Sequence, residues 1–338
     1  MSSTTTSTVR IENNEAQFVF PQSHETTTQV LFGLLEAADT GTITVHELID
    51  RIQALTRDEP DHIDVHAHLG AILLENDRTD DAKTAYARAF DIGAALLSRG
   101  FEGTIAWSVL ENRPFLRAAH GVVLTRLATG ERAEAITLME KMLAWNPNDN
   151  QGVRFMLGSE YLRHGKRTAA RRILTAHAAE YPPYRYELGL LRIQKKEWTE
   201  AATSLRLGFI ENPYIAEALC GSIEPMPLSI WHGSNYHEPG IALDYDDQFG
   251  PLWEDTPDAL PFLRWLHTHP KVMMERAAIL ECRQELLWEH DFEARRLILD
   301  RERDAVDRID DRLSAELVVD RMADGKRTRP WAHPRLPR

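Results

Sequence analysis

The sequence predicts an all-α fold, an α-α superhelix of stacked helical hairpins with a C-terminal helical extension. Three observations support this prediction. One spacing of residues recurs four times in the middle of the chain, three of these units end in proline, and the segment 270–324 consists almost entirely of helix-forming residues. A period of roughly 34 residues is typical of helical solenoids, in which each hairpin buries its apolar face against its neighbours.

Each repeat unit is anchored by a compact residue that follows an apolar one. Alanine stands twelve residues after every anchor, and a bulky side chain stands sixteen after it. The anchors are Gly70, Val123, Gly158 and Gly189; the alanines are Ala82, Ala135, Ala170 and Ala201; the bulky residues are Tyr86, Met139, Leu174 and Leu205. The last three units end in Pro147, Pro182 and Pro213.

The third unit shows why this spacing predicts two crossing helices. We expect one helix over 151–164 and a second over 167–179. Small residues at Gly158 and Ala170 let the two helix axes approach closely. Pro182 then ends the unit, because proline lacks an amide hydrogen and clashes with the preceding turn.

The first two anchors are 53 residues apart, whereas the later ones are 35 and 31 residues apart. An extended helix from Thr79 to about Leu97, followed by a loop through Gly100 and Gly103, would hold the excess residues. The predicted helix hairpins then keep the same internal spacing.

The repeats resemble the tetratricopeptide repeat family over about 61–213, less than half of the chain. The third and fourth units carry residues of the family's preferred types at its preferred positions, namely Gly158, Tyr161, Gly165, Ala170 and Pro182, then Leu188, Gly189, Trp198, Ala201 and Pro213. The second unit departs most, with Val123 at the glycine position and Arg126 at the aromatic one. The resemblance implies a superhelix whose concave groove binds a segment of another protein.

Outside the repeats, the sequence divides the chain into further regions. Thr44 and Glu47 form a capping-box pattern at the start of the second of two expected N-terminal helices, over 29–37 and 44–56. The complete division is a disordered Ser/Thr-rich segment 1–26, N-terminal helices 27–57, the repeat region 58–213, a C-terminal helical capping region 214–325 and a basic, proline-rich tail 326–338.

The capping region has lost the repeat spacing but keeps a helical composition. We expect short helices over 215–220, 241–249 and 257–269, with a turn-rich loop over 221–240, and then long helices interrupted near His290 and Asp291. These helices would cover the last exposed apolar face of the superhelix, as every solenoid requires.

The composition favours a cytoplasmic binding protein. A net charge of -13 argues against general nucleic-acid binding, which depends on neutralising phosphates. No apolar run reaches the roughly 20 residues that span a bilayer, so membrane insertion is not expected. The first fourteen residues contain no apolar core of a secretory signal. With two cysteines in the chain, a disulfide framework is not expected.

The sequence favours a non-catalytic adaptor or scaffold that holds a peptide or helix of a partner in the concave groove. The family resemblance implies that the first helix of each unit lines this groove. The expected partner-binding residues are therefore Arg117, His120, Leu124, Phe155, Ser159, Leu162, Arg163, Tyr186 and Leu190. The partner itself is not indicated by the sequence.

Searches for catalytic and metal motifs give weak candidates, and we expect neither catalysis, a cofactor nor a bound metal. His62 and His66 lie four residues apart, one turn of a helix, but two ligands rarely make a metal site. His232 and His237 lie in a loop rich in aromatic and polar residues, yet no nucleophile is paired with a base there. An enzyme or metalloprotein that uses either pair remains the least favoured alternative.

A second alternative is an oligomeric structural or regulatory subunit assembled through the C-terminal helix. Leu299, Val306 and Leu313 recur at sevens, as in a coiled coil, but Arg295, Glu302 and Glu316 occupy the other core position. This homodimer hypothesis predicts that truncation after about residue 290 gives a monomer. The tail from residue 326 is basic, with no acid, and is expected to be solvated.

Overall fold

The computed structural model describes residues 6–222, 224–323 and 325–332, and within them the predicted all-α class is confirmed. Helices pack in neighbouring pairs, as expected for helical hairpins. The chain forms two compact units, Met1–Glu160 (unit 1) and Tyr161–Arg338 (unit 2). In the described residues, no helix combines the length and apolarity needed to cross a bilayer.

Unit 1 begins with a β-hairpin and continues as helices. Its elements are β1 (Thr8–Glu12), β2 (Glu15–Val19), α1 (Gln22–Asp39), α2 (Val45–Asp58), α3 (Ile63–Glu75), α4 (Thr79–Leu96), α5 (Arg113–Ala128), α6 (Arg132–Trp145) and most of α7 (Arg154–Arg163). The predicted capping box at Thr44 and Glu47 is confirmed at the start of α2. The extended second helix of the first repeat is also present, as α4.

Tyr86 explains why the anchor position must be small. A Cβ added at Gly70 on α3 would lie 2.7 Å from the Tyr86 ring, and one added at Gly121 on α5 would lie 2.0 Å from it. The ring of Tyr86, on α4, therefore fills the space left by two glycines. In unit 2, a Cβ at Gly189 would lie 2.6 Å from Leu205, again the residue sixteen positions later. The repeat spacing thus sets how closely the helices cross.

The predicted disorder of 1–26 is wrong for its described part, because β1 and β2 pair as an antiparallel hairpin and α1 begins at Gln22. Ala16 and Phe18 alternate with more exposed residues, and Phe18 stacks on Phe115 with ring centroids 5.1 Å apart. Burial of this apolar face offsets the entropy of ordering the segment. Residues 1–5 lie outside the described residues.

Asn112 ties the hairpin to the repeats. The backbone N–H of Phe18 donates to Asn112 Oδ1 at 3.1 Å. The Asn112 side-chain amide donates to the carbonyl oxygens of Ala16 and Ala106, each at 3.0 Å. Asn112 is fully buried, so these bonds satisfy polar groups that have no access to water.

Unit 2 holds the rest of the repeats and the C-terminal region. Its elements after α7 are α8 (Arg167–His177), α9 (Pro183–Gln194), α10 (Trp198–Glu211), α11 (Pro213–Leu219), α12 (Pro239–Glu254), α13 (Ala259–His267), α14 (Pro270–Trp288), α15 (Phe292–Asp307), α16 (Asp311–Leu317), β3 (Arg321–Ala323) and β4 (Lys326–Thr328). The predicted interruption near His290 falls between α14 and α15.

The C-terminal helices pack on α10. Ile210 forms a buried cluster with Ile279 of α14 and with Ile309, and Val306 packs against it. Arg206 of α10 is buried, pairs with Glu275, and donates to the carbonyl oxygen of Asp310 at 2.8 Å. Val306 of α15, one of the residues that recur at sevens, therefore packs in a core within unit 2.

The tail differs from the solvated segment that was expected. β4 pairs with β3, and the Arg329 guanidinium lies 3.0 Å from an Asp258 carboxylate oxygen and 4.5 Å from the centroid of the Trp198 ring. Trp331 is buried. The remaining basic residues of the predicted tail, Arg335 and Arg338, lie outside the described residues.

Candidate functional site

Four of the nine expected groove residues are buried rather than available to a partner. Ser159, Leu162, Tyr186 and Leu190 are each no more than 6% exposed. The Tyr186 hydroxyl donates to the carbonyl oxygen of Asn212 at 2.6 Å. These four residues are therefore packing residues. Arg117, His120, Leu124, Phe155 and Arg163 are half-buried.

In unit 2 the face expected to bind a partner is covered by α12 of the same chain. Tyr245 of α12 packs against Tyr186, with ring centroids 6.0 Å apart. The Arg163 guanidinium lies over the Phe249 ring, 4.0 Å from its centroid. Tyr186 and Arg163, both expected to meet a partner, therefore contact α12 within the chain.

Unit 1 carries an open groove instead. Of the nine residues expected to bind a partner, Arg117 lines it. The groove has a volume of about 990 Å³ and runs between the β-hairpin, α1 and the first turns of α3 and α5. Phe32 and Leu110 on its rim are 50% and 63% exposed. Apolar side chains this open to solvent are typical of binding surfaces when they border a concave site.

Three guanidinium groups line the groove, and they differ in their hydrogen-bond and ion-pair partners. Arg117 forms an ion pair with Asp64, whose carboxylate also lies 3.8 Å from His68 Nε2. Arg113 Nε donates to the carbonyl oxygen of Trp107 at 3.0 Å. Arg10 extends from β1 and, among the described residues, has no carboxylate partner.

Acidic side chains also line this groove. Glu25 and Glu111 are exposed on its rim, whereas Asp64 is buried and engaged by Arg117. The groove therefore offers both charge signs beside its apolar surface. Such a surface favours a ligand with an apolar anchor and charged flanks over a uniformly charged one.

A histidine and carboxylate cluster lies at one wall of the groove. The rings of His24, on α1, and His62, the N-cap of α3, are stacked with centroids 4.3 Å apart. His24 Nε2 lies 3.6 Å from Glu59 Oε2 and 3.6 Å from Asp61 Oδ1. Burial, and then the neighbouring His62, lower the pKa of His24 from its usual value, so its ring is neutral at pH 7.

The two histidine pairs singled out from the sequence do not form chelating sites. His66 Nε2 instead lies 3.2 Å from the carbonyl oxygen of Pro60, and burial lowers the pKa of His66. His232 Nε2 lies 2.7 Å from the Tyr214 hydroxyl, in hydrogen-bonding distance. His237 is half-buried, and burial followed by Arg283 lowers its pKa.

Comparisons with known proteins do not identify the chain. No protein-family model matches it, and a search of curated proteins finds no match either.

Proposed function

We propose that this chain is a cytoplasmic, tetratricopeptide-type repeat protein that binds an extended segment of a partner protein in the unit 1 groove and catalyses no reaction itself. The bound segment would carry an apolar side chain flanked by at least one carboxylate. The combination that supports this proposal is the open groove with exposed Phe32 and Leu110 beside the guanidinium of Arg10, which has no carboxylate partner within the described ranges.

The size of the groove supports a peptide more than a small metabolite. Small-molecule pockets usually range over about 300–1,000 Å³ and enclose most of the ligand surface. The unit 1 groove lies at the top of that range and is only partly enclosed, so it would leave more of a small ligand exposed than such pockets usually do. Exposed Phe32 and Leu110 can pack against apolar anchors, while Arg10 and Arg113 can receive carboxylates.

Two further properties of the chain support the cellular part of this proposal. Cys220 and Cys282 are both free, as is usual in the reducing cytoplasm. The net charge of -13 disfavours nucleic acid as the general ligand.

The proposal can be tested with a random peptide library displayed on phage and panned against the purified chain. We expect the enriched peptides to share an acidic residue next to an apolar one. Arg10→Glu should weaken the best peptide at least about 10-fold, or about 1.4 kcal/mol, because the charge pair becomes a repulsion. Phe32→Ala should weaken it as well, by removing apolar contact area.

Arg99→Glu is the matched control, since Arg99 is an exposed arginine of the same unit and does not line the groove. It changes the net charge by the same amount and should leave peptide affinity nearly intact. Peptides that bind Arg10→Glu and Phe32→Ala as tightly as the wild type would place binding elsewhere. A library that yields no enriched peptide would count against peptide binding altogether.

A second candidate is self-assembly through the C-terminal helices, and one observation favours it. Trp288 at the end of α14 and Phe292 at the start of α15 are each 76% exposed. Two large apolar side chains at one turn are typical of a contact surface. If this turn forms a dimer, Trp288→Asp should give a monomer in analytical ultracentrifugation. A wild type that is already monomeric at high concentration would refute the candidate.

A further inference from the structure

We propose that His24, Glu59 and His62, with Asp61 as a fourth group, form a binding site for a first-row divalent transition metal such as Zn²⁺. The site lies where the start of α1, the end of α2 and the start of α3 meet. It is independent of the peptide-binding proposal, because none of these four side chains was assigned to the partner.

The spacing of the donor atoms is close to that of a metal site, although the stacked rings of His24 and His62 must turn before both lone pairs point at one ion. One ligand atom from each of His24, Glu59 and His62 lies within 4.8 Å of the others. Around a tetrahedral Zn²⁺ with bonds of about 2.0–2.1 Å, neighbouring ligand atoms stand about 3.3 Å apart. The distances from His24 Nε2 to Glu59 Oε2 and to Asp61 Oδ1, both 3.6 Å, exceed that spacing by only a few tenths of an ångström.

The polar atoms of the cluster are poorly satisfied by the protein alone. His24 is 5% exposed, and its Nδ1 has no hydrogen-bond partner among the described residues. Glu59 Oε2 is buried and likewise lacks a partner there. Buried polar atoms are usually hydrogen-bonded, so the unpartnered carboxylate oxygen of Glu59 needs a physical reason. A cation beside Glu59 Oε2 and His24 Nε2 compensates the carboxylate and uses the imidazole lone pair.

The types of ligand indicate the class of metal. Two imidazoles and one or two carboxylates suit Zn²⁺ and similar first-row ions, whereas Ca²⁺ and Mg²⁺ prefer oxygen ligands alone.

His62 must change its hydrogen bonding to take part. Its Nδ1 accepts from the N–H of Val65 at 3.4 Å, and its Nε2 lies 3.2 Å from both Thr28 Oγ1 and the carbonyl oxygen of His24. Coordination through Nε2 moves the ring proton to Nδ1, which then stops capping α3. The Nε2 contacts with Thr28 and with the His24 carbonyl oxygen are exchanged for the metal as well, so coordination has to outweigh these bonds together with the long capping bond.

The site also borders the groove, because His24 and His62 both line it. A metal held here would keep a position toward the groove for water or for a carboxylate of a bound segment. Metal affinity and peptide affinity are therefore expected to be separable: the cluster binds the ion by its own ligands with the groove empty.

The test is Zn²⁺ binding to the untagged, full-length chain, measured by isothermal titration calorimetry in a buffer that does not chelate metals. We expect one equivalent to bind tightly to the wild type. Glu59→Gln and His24→Gln should each weaken this binding at least about 10-fold, as loss of a metal-supporting group usually does. Circular dichroism of each variant confirms that it is folded.

His46→Gln is the matched control, because His46 forms an isolated exposed pair with Asp50 at 3.7 Å. It should bind Zn²⁺ as the wild type does. If a variant fails to fold, NMR of the wild type gives a second readout. The side-chain resonances of His24 and His62 must shift on addition of Zn²⁺, and those of His66 must stay in place. Absence of tight binding, or binding that survives Glu59→Gln and His24→Gln unchanged, overturns the proposal.

Discussion

Replacing His267 with glutamine should remove a large part of the acid sensitivity of unit 2. His267 ends α13, and its Nε2 accepts a hydrogen bond from the Arg276 guanidinium of α14. Its ring also meets Phe209 edge to face, with centroids 5.0 Å apart. Burial, and then the charge of Arg276, lower the pKa of His267 from 6.5 to about 3.

The sign and size of the effect follow from this shift. The unfolded chain gains a proton at His267 near pH 6.5, whereas the folded chain gains it only near pH 3. Stability is therefore lost as the pH falls below 6.5, since protons bind preferentially to the unfolded state. Relative to pH 7, the loss from this one group is about 2 kcal/mol at pH 5 and about 3 kcal/mol at pH 4.

Urea unfolding followed by tryptophan fluorescence can measure this loss, since unit 2 contains six of the eight tryptophans and Trp265 lies two residues from His267. Glutamine keeps an acceptor for Arg276 but does not titrate. Comparing wild type with His267→Gln at pH 7 and pH 5 cancels the contribution of every other group. An equal loss of unfolding free energy in both proteins would show that His267 is not held neutral by the fold.

Two further predictions concern packing and a buried ion pair. Gly121→Ala should lower the unfolding free energy by about 1–3 kcal/mol, because its Cβ would overlap Tyr86. Gly33→Ala on α1 is the control: no atom lies within 4 Å of the added Cβ, so it should be neutral or stabilise by up to about 1 kcal/mol. Equal effects of the two substitutions in urea titrations would contradict the packing argument. Arg206→Leu should lower the unfolding free energy by about 3–5 kcal/mol, because it leaves Glu275 unpaired. Adding Glu275→Leu should recover part of that loss. A double variant no more stable than the single one would refute this account.

The repeat architecture could be predicted because its cause is local. Glycine at an anchor and a bulky residue sixteen positions later are two sides of one helix crossing, as Gly70 with Tyr86 and Gly189 with Leu205 show. A constraint that recurs at fixed spacing leaves a visible pattern. The class, the extended α4 and the break before α15 were accordingly predicted to within a few residues.

The occupied face of unit 2 was not predictable in the same way. Tyr186 and Leu190 stand at positions that were expected to line the groove, and nothing local distinguishes a side chain awaiting a partner from one already covered. Tyr186 packs on Tyr245 of α12, which lies 59 residues farther along the chain. Periodicity reports which face is apolar, whereas tertiary structure decides what covers it.

The histidine cluster escaped prediction for a similar reason. The sequence pattern paired His62 with His66, but the groups that lie beside His62 in the structure are Glu59 and His24, and His24 lies 35 residues before Glu59. That stretch had been assigned to a disordered segment. The alternation of polar and apolar residues from Glu15 to Phe18 was the signal in the sequence that it is folded.

The link between Asn112 and the β-hairpin has a consequence for the order of events during synthesis. Phe18 and its hydrogen-bond acceptor on Asn112 are 94 residues apart. The chain emerges from the ribosome N-terminus first, so the hairpin segment is exposed long before its anchor has been translated. Nearby helices such as α3 and α4 can pair at once, whereas closing so long a loop is entropically costly and slow. The first strands to be made are therefore among the last parts of unit 1 to be secured, and until then Phe18 is available to chaperones.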